Sequence, residues 1–309
     1  RSPEPMELPL ATAAIVTALV ADHLLGEPRR HPLALFGRAV QAVEARWYAP
    51  TIRRGAVLAG LLVVPPALAA GWLAALPGAG WFLEVALLWL AVGGRSLTDH
   101  AGAVATPLAR GDLAGARAAV AMLVSRDPAA LEADGIAAAA TESVLENGND
   151  AVIAALFWYL VAGATGLVAF RLINTLDAMW GYRTERYDRF GRVVARADDL
   201  LGWLPARLTA AAYALAGNTS RAIRCWRTQG RRWKSPNAGP VMAAGAGALG
   251  IRLGGPAPYH GRTEVRPALG EGRAATADDI HRAGKLLGHA VIGLVGLALL
   301  AELLLRGWA

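Results

Sequence analysis

The chain has 309 residues, 55% of them hydrophobic and only 18% charged, a balance that excludes an ordinary soluble domain. Its formal net charge of +7 rests on 29 arginines and two lysines, Lys234 and Lys285. Basic residues scattered among apolar runs exclude a nucleic-acid platform, and arginine suits planar anions such as phosphate and carboxylate. A single cysteine, Cys225, with no Cys/His cluster, excludes an internal disulfide and a zinc or iron–sulfur centre.

In chain order, the first apolar run is Leu8 to Leu25, with Asp22 and His23 near its end and no small-residue cleavage pattern. It is expected to be a retained first membrane helix. Gly55 to Leu76 and Leu286 to Leu305 are the other two clean spans. The Pro65-Pro66 pair predicts a kink in the former, because proline removes a helical donor and crowds the preceding turn. Gly80 to Gly94 is shorter and carries Glu84, and Ala151 to Leu172 is broken near Gly163 and Gly166. Trp203 to Gly217 and Val241 to Ile251 are weaker apolar runs.

Segments 27–54, 171–196 and 221–234 are arginine-rich and are expected to share the cytoplasmic side. With Glu4 and Glu7 outside, the first helix enters and the next two spans form a hairpin through the uncharged Pro77–Gly80 turn. Residues 95–150 then lie inside as a helical segment. A single crossing from Ala151 would put the arginines after Leu172 outside, against the charge rule. Ala151 to Leu172 is therefore expected to be a re-entrant or membrane-buried hairpin, and Trp203 to Gly217 to be half-inserted or one leg of a pair. The fold class that follows is all-α: a polytopic integral membrane protein with about four to five membrane helices, re-entrant or interfacial helices, and a cytoplasmic helical portion.

Apolar residues from Leu108 to Val124 recur at helical spacing after Gly111-Asp112, the pattern of an amphipathic packing helix. A second helix is predicted from about Pro128 to Asn147. Glu142, Glu146 and Asp150 are spaced by four and would share one of its faces, which reads either as a solvated acidic face or as carboxylates for Mg²⁺. Residues 171–207 are dense in paired charges and must line a cavity or the membrane surface. Interfacial ionisable residues of this kind are functional by default. The Asp22, His31 and Arg38 stretch, Arg95 to His100, and the turn sequences SPNAG (235–239) and LGGP (253–256) are less specific. No Walker loop, nucleophile elbow or HExxH motif is present.

Several of these blocks together carry a resemblance: the run from Asp22 to Arg38, RSLTDHA (95–101), GDLAGAR with SRDP (111–128), TESVLENGNDA (141–151), RLINTLDAMWGYRTERYDRFGRVVARADDLLGWLPARLTA (171–210), SPNAG, GALGIRLGGPAPYHG (247–261) and LGEG (269–272). In this order, over about residues 20 to 285, the chain resembles the adenosylcobinamide-phosphate synthases, the CobD/CbiB membrane enzymes of cobalamin biosynthesis. The resemblance implies an ATP- and Mg²⁺-dependent amide ligase at the bacterial inner membrane with its active site facing the cytoplasm. It would join a carboxylate of adenosylcobyric acid to (R)-1-aminopropan-2-ol O-phosphate. It also admits a homo-oligomer and contacts with other membrane-associated cobalamin-assembly enzymes.

On that basis Glu142, Glu146 and Asp150 are expected to hold Mg²⁺, with Asn147 as a neutral ligand or phosphate donor. Asn174 and Asp177 follow as candidates. Arg183 and Arg186 would bind ATP or the aminopropanol phosphate, with Glu185 orienting one of them, and Asp198, Asp199 and Arg207 would complete the shell. Asp177, Asp199 and Glu146 are the candidates for catalysis; for the base that deprotonates the attacking amine, Asp177, Asp199 and His31 stay open. Two places depart from the family pattern: Gly148-Asn149, where a Thr-Ser pair is common, and Pro240-Val241-Met242, where a Trp-Pro-Glu run is common. The competing readings are a non-catalytic membrane regulator of the AmpE type and a transporter, for which no inverted repeat is visible.

Overall fold

The computed structural model describes residues 10–124, 128–259 and 262–307. Glu4, Glu7, residues 125–127 of the SRDP motif and His260 lie outside the described residues. The helices, in order, are α1 (Leu10–Leu25), α2 (Pro32–Trp47), α3 (Ile52–Ala74), α4 (Gly80–Ala91), α5 (Gly94–Ala109), α6 (Leu113–Val120) and α7 (Ala133–Gly148). A five-residue π-turn, Asn149–Ile153, leads into α8 (Ala154–Trp180), followed by α9 (Tyr187–Phe190), α10 (Arg192–Ala216), α11 (Thr219–Gln229) and α12 (Ala238–Leu249). Five short strands follow: β1 (Ile251–Gly254), β2 (Ala257–Tyr259), β3 (Arg262–Glu264), β4 (Ala268–Gly270) and β5 (Arg273–Ala274); α13 (Ala277–Gly307) closes the chain.

Among the described residues, four helical stretches are long and apolar enough to cross a membrane: Ile52–Ala74, Gly80–Ala109, Ala133–Trp180 and Ala277–Arg306. Val57, Leu61, Val64, Leu68 and Trp72 on α3, and Ile292, Leu297, Leu300 and Leu304 on α13, are exposed. In water such faces would be unstable, and against lipid they are matched. The protein is an all-α, multi-pass membrane protein, with a small β element that the sequence does not announce.

The chain divides into two compact units, one comprising Arg1–Gly93, Ala155–Asp198 and Ile292–Ala309, the other Gly94–Ala154 and Asp199–Val291. In the first unit α1 and α4 run parallel, since Trp89 Nε1 donates to Gly26 O at 3.1 Å and His31 Nε2 lies 3.0 Å from Leu90 O. Glu84 within α4 accepts from Tyr159 Oη at 2.9 Å, which gives an apolar-run carboxylate a partner. The helix α3 is continuous through Pro65-Pro66. A break in the helix lies in α8, at Ala162 and at Gly163 (φ 57°, ψ −150°), where the sequence predicts one. A Cβ built on Gly166 would collide with the carbonyl of Trp158, which a straight helix would carry about 12 Å away, so the chain doubles back there.

The returning leg runs antiparallel to α3: Thr165 lies against Gly71, and Phe190, just beyond the leg, lies against Gly55. Leu172, Leu176 and Trp180 from this leg pack with Leu58, Ala59, Val63, Val40, Phe190 and Val194 to form the unit's core. The fold-back returns the arginine-rich stretch after Arg171 to the end that holds residues 27–54, and Tyr48 Oη donates to Arg186 O at 2.8 Å there. Gly163→Ala is expected to cost about 1–3 kcal/mol, because the backbone there is all but closed to residues with a Cβ. Nothing lies within 4 Å of the added atom, so any loss in thermal unfolding in detergent reports backbone strain alone.

In the second unit α12 is buried along its whole length. The Val241 to Ile251 run is thus apolar because protein surrounds it, which the twelve residues of α12 suit better than a crossing. Trp203 to Gly217 is the C-terminal part of α10, with Ala206, Thr209, Ala210 and Tyr213 buried in the unit, and is not among the spanning helices. Strand β1 pairs antiparallel with β4 and parallel with β5. At the start of α13 the Asp279 carboxylate accepts from Thr276 N (2.8 Å), Thr276 Oγ1 (2.9 Å), Arg273 and Arg282, which gives an otherwise orphan amide at the helix N-terminus its partner. The predicted 108–124 helix is the shorter α6, N-capped by Asp112 onto Gly115 N (2.9 Å), and the predicted 128–147 helix begins at Ala133 after a single 3₁₀ turn.

Candidate active site

In the first unit the returning leg of α8 presents Asn174 and Asp177 one turn apart, both half-buried. Asn174 Nδ2 donates to Asp198 Oδ1 on α10 at 3.2 Å, so these two predicted residues meet. The Asp177 carboxylate lies so close to Gly181 that any Cβ there would displace it. Arg183 and Glu185 are exposed.

Arg186 is oriented by Glu44 and not by Glu185: its guanidinium gives Glu44 Oε1 two hydrogen bonds, at 2.9 and 2.7 Å, and stacks 4.1 Å from the Tyr48 ring. Glu44 also accepts from Trp180 Nε1 at 2.9 Å and from Tyr187 Oη at 3.0 Å. Burial, and then the bond to Glu44, push the Tyr187 phenol up. Glu44 escapes sequence reading because its partners lie 136 to 143 residues away. Glu44→Ala leaves the buried indole N–H of Trp180 without its acceptor and should cost about 1–3 kcal/mol in thermal unfolding. A melting curve superimposable on wild type would contradict this hub.

In the second unit Glu142, the first of the three carboxylates expected for Mg²⁺, is engaged within the protein. Glu142 is buried, and both its oxygens are engaged: Arg266 Nη1 donates to Oε2 at 2.9 Å, while Arg266 Nη2 and the Gly254 amide donate to Oε1 at 3.2 and 2.8 Å. The LGGP turn is thus the seat of a buried ion pair. The π-turn begins at Asn149, inside the triplet, so the four-residue spacing does not carry through to Asp150. Among the described residues no three His, Cys, Asp or Glu side chains are grouped as a metal site would need. Glu146 and Asp150 are half-buried, and Asn147 spends its amide on Ser143 O and Oγ (2.9 and 3.0 Å).

Gly148-Asn149 has a local reason. A Cβ at Gly148 would press on Tyr213 Oη and Leu287, and Asn149 accepts from Thr209 Oγ1 (2.7 Å) while donating to Asp150 Oδ1 (2.7 Å). Asn149 therefore fixes Asp150. In the other departure from the family pattern, Val241 and Met242 are fully buried in α12. SPNAG is more than a turn: Asn237 Nδ2 donates to Asp199 O at 2.9 Å and its Oδ1 accepts from Arg207 Nη1 at 3.0 Å. Arg207 stacks 4.4 Å from the Trp203 ring. Burial, and next the charge of Arg231, lower its affinity for its proton. A partly desolvated guanidinium within electrostatic reach of a second one favours an anion as its counter-charge. Arg231 was not singled out in the sequence, although it belongs to the arginine-rich 221–234 stretch.

The helices and their exposed apolar faces define a polytopic α-helical membrane protein. The family described as CobD/CbiB protein matches residues 15–287, and the chain belongs to that family. It is 54% identical over 300 residues to the "Cobalamin biosynthesis protein CobD" of Stutzerimonas stutzeri, covering 96% of this chain and 97% of the relative. The protein of the same name from Chromobacterium violaceum is 54% identical over 298 residues (93% and 96% covered), and that of Mycobacterium tuberculosis 42% identical over 277 residues (87% and 88% covered). No solved structure matches.

Proposed function

We propose that the protein acts in cobalamin biosynthesis as an adenosylcobinamide-phosphate synthase, an ATP-dependent ligase forming an amide between a carboxylate of adenosylcobyric acid and the amine of (R)-1-aminopropan-2-ol O-phosphate. The observation that carries this reading is the family match over residues 15–287, which takes in every candidate site residue. A carboxylate is a poor acyl donor. ATP would phosphorylate it, releasing ADP, and the neutral amine would then displace phosphate from the acyl phosphate.

The chain's own groups suit those needs. Arg207, within electrostatic reach of Arg231, would neutralise phosphate oxygens. Asp177, or Asp199 at the Asn237 junction, would take the proton that the ammonium must lose before it attacks. Mg²⁺ would supply charge neutralisation on the nucleotide, and Glu146 and Asp150 are the carboxylates of the 142–150 stretch that would share it with the phosphates, as magnesium needs only one or two side chains. The arginine-rich end of the first unit would face the cytoplasm at the bacterial inner membrane.

The test uses detergent-purified protein with ATP, Mg²⁺, adenosylcobyric acid and aminopropanol phosphate, following ADP and corrinoid mass together. A corrinoid mass gain matched one-to-one by ADP is expected. Neither signal from folded protein would overturn the reading in favour of a non-catalytic role.

A further inference from the structure

A cleft of about 510 Å³ opens in the second unit between α5, α7 and the first turns of α13. That volume is in the range of small-molecule sites, roughly 300–1,000 Å³. Its floor is apolar, with Val144 and Leu287, and its rim carries Thr98, Asp278, His281 and Lys285. Asp278, His281 and Lys285 stand at i, i+3 and i+7 on α13, so one helix face brings them to the same opening. All three are exposed.

The neighbouring charges are committed elsewhere. Asp279, adjacent to Asp278, is fully buried and binds Arg273 and Arg282, and Arg95 on α5 is paired with Asp99 at 2.9 Å. The cleft therefore has a cationic end at Lys285, with the His281 imidazole one turn before it as a hydrogen-bonding group, and an anionic end at Asp278. Gly284 also lines it, and a Cβ there would meet nothing within 4 Å.

We infer that this cleft binds a short zwitterion, a primary ammonium joined through a few carbons to a phosphate monoester, with the phosphate on Lys285 and His281 and the ammonium on Asp278. Opposite charges on one rim select such a molecule over a nucleotide, whose polyphosphate would meet a carboxylate. This assignment rests on the ligase reading for its physiological ligand, the aminopropanol phosphate, and places that substrate's subsite.

The experiment is isothermal titration calorimetry on the full chain in detergent with three probes: 1-aminopropan-2-ol O-phosphate, inorganic phosphate, and 1-aminopropan-2-ol. The intact zwitterion should bind at least about tenfold more tightly than either half, since it keeps both charge-assisted contacts. Lys285→Ala should weaken the zwitterion and inorganic phosphate together by about tenfold or more. Asp278→Asn should weaken only the zwitterion, and Gly284→Leu should abolish binding by filling the cleft, with thermal unfolding close to wild type in each variant.

Absence of zwitterion binding to the wild-type protein, or unchanged binding in folded Lys285→Ala and Gly284→Leu, overturns the assignment. Wild-type binding of this pattern without amide formation leaves the cleft standing and removes the ligase reading. Amide formation with an unchanged KM for the aminophosphate in all three variants does the reverse.

Discussion

Glu142→Ala is expected to destabilise the protein by about 3–5 kcal/mol, the usual consequence of stripping one partner from a buried ion pair. Arg266, whose side chain is 8% exposed against 5% for Glu142, would be left as an uncompensated buried cation. The Gly254 amide would also lose its acceptor, and the turn that leads from β1 would come loose. Far-UV circular dichroism on heating in detergent should show a large fall in the melting temperature. Replacing both partners with leucine should recover much of the loss, because apolar pairs often substitute for buried ion pairs at little cost. The Gly254 amide would still lack its acceptor. Retained melting in Glu142→Ala, with turnover abolished, would instead make Glu142 a ligand or a catalytic group.

Asp177→Asn is expected to lower ligase turnover by about 10²–10⁴-fold, the range in which a positioned acid or base contributes. The change is isosteric and the side chain is half-buried, so melting should stay close to wild type. Gly181→Ala provides the matching geometric test, since its Cβ would displace the Asp177 carboxylate without removing it. A partial loss is expected there. Turnover in Asp177→Asn equal to wild type would pass the proton-accepting role to Asp199, which Asp199→Asn would then have to carry.

Glu44 and Glu142 show which carboxylates could be interpreted before the fold was known. Glu142 drew attention through its spacing with Glu146 and Asp150, but its partner lies 124 residues away on a strand-linked loop. No local pattern encodes that pairing. Glu44 sits in an unremarkable helix, yet it receives Trp180, Arg186 and Tyr187. Within the charged 171–207 stretch, the Asn174 to Asp198 link joins two elements that are close in the chain.

By itself the sequence determined the long apolar runs and the place of the fold-back, because these depend on local composition. A run of apolar residues must leave water, and Gly163 permits a backbone that other residues avoid. Tertiary structure alone decided whether an apolar run faces lipid or protein. The α12 run reads like a weak span, and only its burial on every side identifies it as the core of the second unit. Tertiary structure also decided which charges neutralise each other and which remain available. Side-chain pairing is set by distance in space, and that distance depends on where separate helices come to rest.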